Sequence, residues 1–519
     1  MIDILIKNGK IIDGTGKDAY VGTFGIKDGK IVSVGSDTDA KRVIDASGKC
    51  VTPGFIDSHS HGDGVLGTES GRLFKTPQGV TTEICGNCGG TRLAVYNDGN
   101  PIVEKADIGV FSRVLDYADM KNKSANIRYY MGHGTLRRSV MGIDDRKPTA
   151  AELDKMKAIL EDCMQSGCAG LTTGLGYVPG CFADTEEIIE LAKISAKYGG
   201  LYASHMRNEA ENVVEAVKET IRIGEESGAR VFISHHKVLG RKNWGLHHKT
   251  LELIEKANER GVSVTCDQYP YTRNMTTTSS IIPPKYLKMG NAALVEALSD
   301  STFRENVKRD IEDVSSPNGS FYLDSGGWDG VLVTSCANDE RAVGKTIVEY
   351  AEICGKDPWT AFFDLMVVNR LGGMSVFDTM RESDLFDIIR SPYSVVGSDG
   401  CNSSWERMGH PRGSSAFTHA INFYVKENKV LTLEQMIRKM TGFSAERLDL
   451  KNKGLIKEGY DADIVIFDYD SLKDTADYVH PNRLTEGIEQ VIVNGSVVYE
   501  NMKLTGVYAG KVIRYNNTI

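Results

Sequence analysis

The N-terminal segment, residues 1–52, alternates apolar and polar positions with a period of two, as β-strands with one buried face do. It contains the runs ILIKNGKIID and FGIKDGKIVSVG. Because Asn-Gly and Asp-Gly favour tight turns, Asn8-Gly9 and Asp28-Gly29 predict two hairpins. The segment is therefore predicted to be a small antiparallel sheet.

The C-terminal segment, residues 441–519, repeats this pattern in ADIVIFDYD and QVIVNGSVVYE. Asn494-Gly495 separates two β-rich runs and predicts another hairpin. We expect the two ends of the chain to form the two parts of one small β-sandwich domain.

Between the ends, residues 53–440 alternate strand-like runs with helical stretches such as 149–167 and 212–228, whose apolar residues recur every three or four positions. This alternation predicts an α/β fold of parallel βα units. The strand-like runs are GFIDSHSH, VTTEIC, IRYYMGH, GLTTGLG, LYASHM, VFISHH, VSVTCDQ and YSVVGSD. Eight runs predict a (β/α)8 barrel of the TIM type.

The stretch 272–392, between the seventh and eighth runs, is far longer than the few residues of a normal βα loop. We therefore expect a lobe inserted before the last barrel strand, at about residues 285–345.

Composition narrows the class of protein. The formal charge of −9 is spread without a basic block, so nucleic acid is not an expected partner. The sequence contains no run of about 18 consecutive apolar residues, and its first residues lack the pattern of a signal peptide. We therefore expect no membrane association and a cytoplasmic protein. The ten cysteines are scattered, which favours free thiols and leaves room for metal ligands.

Polar residues that bind metals end several of the predicted strands. The first run ends in His59 and His61, whose side chains point the same way in an extended chain. The fifth ends at His205, the sixth at His235, and the eighth at Asp399. Since catalytic groups of such barrels lie at the C-terminal ends of the strands, a metal centre is predicted there.

Cys88 is the candidate for a ligand that bridges two metals. The stretch after the fourth run, 170–180, lacks the lysine that often serves this purpose, whereas Cys88 lies in a glycine-rich loop after the second run. Cys85 is the competing assignment. A redox pair or half of a zinc ribbon is less favoured, since no second CxxC completes a ribbon.

Together these motifs resemble the amidohydrolase superfamily and, within it, the D-aminoacylase (N-acyl-D-amino-acid deacylase) family. The resemblance spans nearly the whole chain and implies the same barrel and β-sandwich. Its motifs are PGFIDSHSHGD (53–63), GVTTEICGNCG (79–89), GHGTLRRSVMG (132–142), ASHMRNE (203–209), SHHK (234–237), DQYPY (267–271), GSDG (397–400) and HPR (410–412).

The resemblance implies a zinc-dependent hydrolase with one tightly bound ion and a second, weaker position. The tight-site ligands it implies are Cys88, His205 and His235, and those around the second position are His59, His61 and Asp399. Asp399 would also be the general base toward the attacking water, without a covalent intermediate.

The resemblance also implies that Lys237, Tyr271 and Arg412 bind the α-carboxylate of a small substrate. The stretches RNMTTTSS after DQYPY and GSSAFTHAINFY after HPR differ from the family pattern, which leaves the acyl group and side chain of the substrate open. The roles of His133 and His236, the preference for the D enantiomer beyond analogy, and the oligomeric state also stay open.

The expected reaction is hydrolysis of an N-acyl-D-amino acid, or of a dipeptide ending in a D residue, to a carboxylate and a free D-amino acid. One alternative is a cyclic amidase similar to dihydropyrimidinase or dihydroorotase, against which the missing lysine counts. A second alternative is a non-catalytic scaffold, which the complete ligand set disfavours.

Overall fold

Eight parallel strand regions, here called the central strands and numbered along the chain, organise the computed structural model. The structure describes residues 1–35, 38–92, 95–97, 100–103, 105–314, 320–401, 404–407 and 409–515. The central strands are Phe55–Asp57, Val80–Cys85, Asn126–Tyr129 continued by Met131–Gly132, Gly170–Gly174, Leu201–His205, Arg230–Ile233, Val264–Gln268 and Ser394–Val396.

The central strands pair in chain order. The first three form one parallel sheet, and the continuation of the third pairs with the fourth to begin a six-stranded parallel sheet that ends at the eighth strand. Beyond the first and eighth strands, Ser60 and Gly400 form a parallel bridge, and the Asp399 amide donates to the His59 carbonyl oxygen at 2.8 Å. The predicted α/β fold with parallel strands is confirmed, while a fully closed barrel stays a prediction.

Amphipathic helices follow the central strands and bury their apolar faces on them. The predicted helix at 149–167 is observed as Ala150–Gln165, where Thr149 and Glu152 form a capping box. Helices along the central-strand region are Glu69–Lys75, Val110–Met120, His133–Met141, Ala150–Gln165, Thr185–Lys197, Val213–Ser227, His247–Glu259, Glu382–Arg390, Arg412–Ala420, the π-helix Ile421–Glu427, Leu433–Met440 and Gly442–Arg447. Within the described part of the chain, none of the helices has the length and apolar character needed to span a bilayer.

Strands from both ends of the chain share one nine-stranded sheet, in which Cys50–Pro53 pairs antiparallel with Ile464–Phe467. The proposed limits 1–52 and 441–519 for a two-part β-sandwich remain a prediction. The strands of this sheet are Ile2–Ile11, Tyr20–Lys27, Lys30–Val32, Ala40–Asp45, Cys50–Pro53, Ile464–Phe467, Ile488–Val493, Ser496–Glu500 and Lys503–Leu504.

The hairpin predicted at Asn8-Gly9 is wrong. Ile2–Ile11 is one strand whose register against Tyr20–Lys27 shifts between Ile6 and Gly9. Asn8 has a φ of 60°, so the left-handed conformation that would make a turn makes a β-bulge here. The hairpins at Asp28-Gly29 and Asn494-Gly495 do form.

The segment between the seventh and eighth central strands forms a lobe with its own apolar core, which includes Ile282, Val307, Phe362 and Phe377. A three-stranded antiparallel sheet in this segment reaches from residue 273 to 378, and the expected lobe limits of about 285–345 stay a prediction. The lobe's strands are Arg273–Thr277, Val331–Ser335 and Met374–Asp378, and its helices are Pro284–Leu287, Asn291–Ala297, Ser301–Ile311, Phe321–Asp324, Ile347–Cys354 and Pro358–Val368. A separate hairpin pairs Val95–Asn97 with Asn100–Val103.

Candidate active site

Three of the expected metal ligands have an uncommon backbone conformation. Cys88, His235 and Asp399 follow the second, sixth and eighth central strands, with φ angles of 52°, 37° and 50°. A positive φ is unfavourable for residues other than glycine and is often found at functional sites, where the surrounding structure holds it. In this conformation the chain turns sharply at the strand end.

One group of four side chains could hold a metal ion. The ligand atoms of His59, Cys88, His235 and Asp399 all lie within 4.8 Å of one another. The Cys88 Sγ is 3.4 Å from both His59 Nε2 and His235 Nε2. The His59 Nε2 is 3.5 Å from Asp399 Oδ1. Cys88 Sγ therefore contacts one histidine that follows the first central strand and one that follows the sixth.

The other two expected ligands border this group. The His205 Nδ1 lies 2.8 Å from His235 Nε2, and His205, Glu209 and His235 form a second group of potential ligands. The His61 Nε2 lies 3.2 Å from Asp399 Oδ1. The structure thus brings together all six side chains expected to bind metal.

Two carboxylates that sequence reasoning missed orient the histidines. Glu209 Oε1 lies 3.0 Å from His235 Nδ1, which leaves Nε2 directed at Cys88. Asp267 accepts from the His235 amide at 2.7 Å and lies 3.3 Å from His59 Nδ1. Carboxylates that hold the second nitrogen of a ligand histidine are common around metals. Glu209 lies in the motif ASHMRNE and Asp267 near the end of the seventh strand, so these positions could have identified both carboxylates from the sequence.

Electrostatics keeps the thiol and the carboxylate of the site ionised. Burial raises the pKa of Cys88, but His59 and His235 outweigh it and hold the pKa well below the usual value. Burial likewise raises the pKa of Asp399, but the nearby Arg412 and His235 hold it well below the ordinary range. Thiolate and carboxylate are the forms that bind metal.

A cavity of about 450 Å³ opens above these groups, and both Lys237 and Arg412 line it. Each is already close to a carboxylate: the Lys237 Nζ donates to Glu209 Oε1 at 2.6 Å, and the Arg412 Nη1 lies 2.9 Å from Asp399 Oδ2. The two cations are therefore anchored at the edge of the metal-ligand group.

Tyr271, which the resemblance implies as a substrate contact, is not among the residues that line this cavity, whereas Tyr269 is. The Tyr271 amide donates to the Tyr269 carbonyl oxygen at 3.0 Å in a tight turn, and the Tyr271 ring stacks on His419 with centroids 4.4 Å apart. By contrast, the Tyr269 ring centroid is 4.7 Å from Arg412 Cζ. The expectation for Tyr271 came from the resemblance, through the motif DQYPY, and Tyr269 of the same motif is the tyrosine that lies at the cavity.

Three other side chains considered from the sequence lie away from the ligand group. His236 is buried, its Nε2 lies 2.9 Å from Thr250 Oγ1, and burial lowers its pKa to about 3. His133 Nε2 pairs with Glu187 at 2.8 Å, and neither residue lines the cavity. Cys85, the competing thiol, is fully buried and burial raises its pKa well above the usual value.

Comparison with known proteins identifies the family of this chain. The sequence pattern of the Amidohydrolase family matches residues 42–179 and 325–499. A D-aminoacylase from Alcaligenes xylosoxydans xylosoxydans is 33% identical over 98% of this chain and 97% of its own length. The chain belongs to the amidohydrolase family and, within it, groups with the D-aminoacylases.

Two solved structures match the whole architecture. A D-aminoacylase described as having a binuclear metal centre, with one-metal activation and second-metal attenuation, is 32% identical with a TM-score of 0.81, covering 99% of this chain and 100% of that chain. An N-acyl-D-glutamate deacylase from Bordetella bronchiseptica, complexed with zinc and a phosphonate mimic of the tetrahedral intermediate, is 30% identical with a TM-score of 0.82, covering 99% of each chain.

Proposed function

We propose that this protein is a zinc-dependent hydrolase that cleaves the amide bond of N-acyl-D-amino acids and releases a carboxylate and a free D-amino acid. The observation that carries the proposal is the convergence of Cys88, His59, His235 and Asp399 within 4.8 Å at the base of a cavity. Relatives that share nearly the whole chain length include a D-aminoacylase, an N-acyl-D-aspartate deacylase and an N-acyl-D-glutamate deacylase.

The donor set fits zinc. A thiolate, several imidazoles and a carboxylate are the groups that bind this ion in proteins. We assign the tight site to Cys88, His205 and His235, and the weaker position to His59, His61 and Asp399. The buried Glu209, which fixes the orientation of His235, supports this choice.

Asp399 is the proposed general base and, later, the general acid. Arg412 keeps its carboxylate ionised, so it is ready to accept a proton from the attacking water. Oxygen of that water joins the acyl carbon, the C–N bond breaks, and the proton held by Asp399 passes to the leaving amine. The chemistry that zinc supplies when bound is Lewis-acid activation of water and of the scissile carbonyl.

Lys237 and Arg412 are the proposed contacts of the substrate's α-carboxylate, with Tyr269 in the position first expected for Tyr271. The support is that all three line the cavity and that both cations lie within 6 Å of the Tyr269 ring, at 5.8 Å and 4.7 Å. A guanidinium fork suits a carboxylate, and a phenol can add a neutral hydrogen-bond donor.

The test uses one preparation and measures release of free amine from N-acetyl-D-amino acids, their L enantiomers and L-D dipeptides, and formation of N-carbamoyl amino acids from hydantoins. We expect turnover of the open D substrates. Opening of cyclic ureides alone would favour the cyclic amidase instead. Absence of all turnover from metal-loaded protein would favour the scaffold.

A further inference from the structure

A second cavity, of about 670 Å³, adjoins the active-site cavity beneath the inserted lobe. The two cavities share four lining residues, Tyr177, Thr276, Thr277 and Phe321. Tyr177 OH and Thr276 Oγ1 are 3.1 Å apart, so one hydrogen bond crosses the shared wall. The two cavities therefore adjoin at this wall, on the side where the Tyr177 ring packs against His205 with centroids 4.5 Å apart, and we call the second cavity the extension.

Much of the lining of this extension is apolar and comes from the lobe. Ile281, Ile282, Leu287, Ile311 and Phe321 line it, and a run of two prolines completes one side. The charged groups at its edge already have partners within the protein. Asp310 pairs with Lys285 at 2.8 Å, and the Arg138 Nη2 donates to the Val178 carbonyl oxygen at 3.2 Å.

From these observations we infer that the extension binds a long apolar acyl chain, so that the preferred substrates are N-acyl-D-amino acids with medium-length or long acyl groups. The inference rests on the proposed function and adds the class of acyl group. Thr276 and Ser279 belong to RNMTTTSS, the stretch that departs from the family pattern, and this stretch lines both cavities.

An acyl chain fits the extension better than an amino-acid side chain. The first cavity already contains the groups proposed to bind the carboxylate and the scissile amide, so only a group that reaches past Tyr177 enters the second. The longest amino-acid side chains end in a charge or a polar group, which would lose water against the apolar part of the wall. An unbranched alkyl tail needs none and gains free energy from leaving water.

The experiment measures kcat/KM for D-methionine carrying acetyl, butanoyl, hexanoyl, octanoyl or decanoyl groups. Burial of each methylene is expected to raise kcat/KM by up to about fourfold, so hexanoyl should exceed acetyl by about tenfold or more. A parallel series keeps the acetyl group and lengthens the side chain of the amino acid. A rise only in the second series would overturn the inference, as would rates that fall with acyl length.

Ser279→Phe places a ring in the extension, and Ser279→Ala is the matched control that leaves the space open. We expect the ring to lower the octanoyl-to-acetyl ratio by about tenfold while acetyl hydrolysis stays unchanged, which also shows that the variant folds. Leu287→Asp should have the same selective effect through a charge in the apolar wall. An unchanged ratio in both variants would contradict the inference, whereas failure to hydrolyse any acyl-D-methionine would contradict the proposed function itself.

Discussion

The proposed metal ligands and the proposed carboxylate-binding residues differ in how the chain positions them. Cys88, His235 and Asp399 lie just beyond the ends of the second, sixth and eighth central strands, each with a positive φ angle. Arg412 begins a helix, and Tyr269 directly follows the seventh strand, where the chain enters a tight turn. The carboxyl ends of parallel strands lie on the same side of the fold, so side chains beyond them come close together, whereas the position of Arg412 depends on how its helix packs.

We expect the largest loss of activity from replacing Cys88, and little loss from replacing Cys85, the other cysteine of the CxxC motif. Cys88→Ala should lower bound zinc and reduce kcat/KM by about 10⁴-fold, because several kcal/mol of transition-state stabilisation depend on the ion. Metal analysis and amine release measure this. Cys85→Ala is the matched control, and equal losses in both variants would refute the assignment of Cys88.

The second-largest expected effect is the loss of activity on replacing Asp399, the proposed proton carrier. Asp399→Asn should lower kcat by about 10³-fold, because an amide cannot accept the proton of the attacking water. Asp63→Asn, which changes another carboxylate lining the cavity, is the control and should leave kcat within a few fold. Steady-state kinetics on N-acetyl-D-methionine decide between the two residues.

Arg412→Lys is expected to lower kcat/KM by about 30-fold, since a lysine cannot replace the two-pronged contact of a guanidinium with a carboxylate. If Arg412 binds substrate, KM rises. A fall in kcat with unchanged KM would mean that Arg412 acts only by holding Asp399. Arg273→Lys, at a partly exposed arginine paired with Asp378, is the control.

The smallest expected effect is the difference in activity between variants of Tyr269 and Tyr271. Tyr269→Phe should lower kcat/KM by about tenfold through loss of one hydrogen bond to a charged group, while Tyr271→Phe should change it little. Both phenols are buried and neither hydroxyl has a hydrogen-bond partner among the described residues, so the pair is well matched. The reverse order of effects would restore Tyr271 as the contact residue.

The sequence predicted the parallel α/β architecture and six side chains that lie close together in the structure, because strand and helix periodicity and strand-end residues are local signals. It did not predict the β-bulge at Asn8. A residue with a left-handed backbone conformation occurs in turns and in bulges alike, and the pairing of Ile2–Ile11 with Tyr20–Lys27 determines which of the two forms. It missed Asp267 and Glu209 because their importance depends on which histidine nitrogen each one faces. The limits of the inserted lobe depend on pairing between distant strands, which periodicity alone does not reveal.

The most direct test of the central claim is removal and return of the metal. Chelator-treated protein should lose hydrolysis of N-acetyl-D-amino acids, and activity should return in proportion to added zinc and be complete at about one equivalent per chain. Full activity in protein that holds no metal would contradict the account.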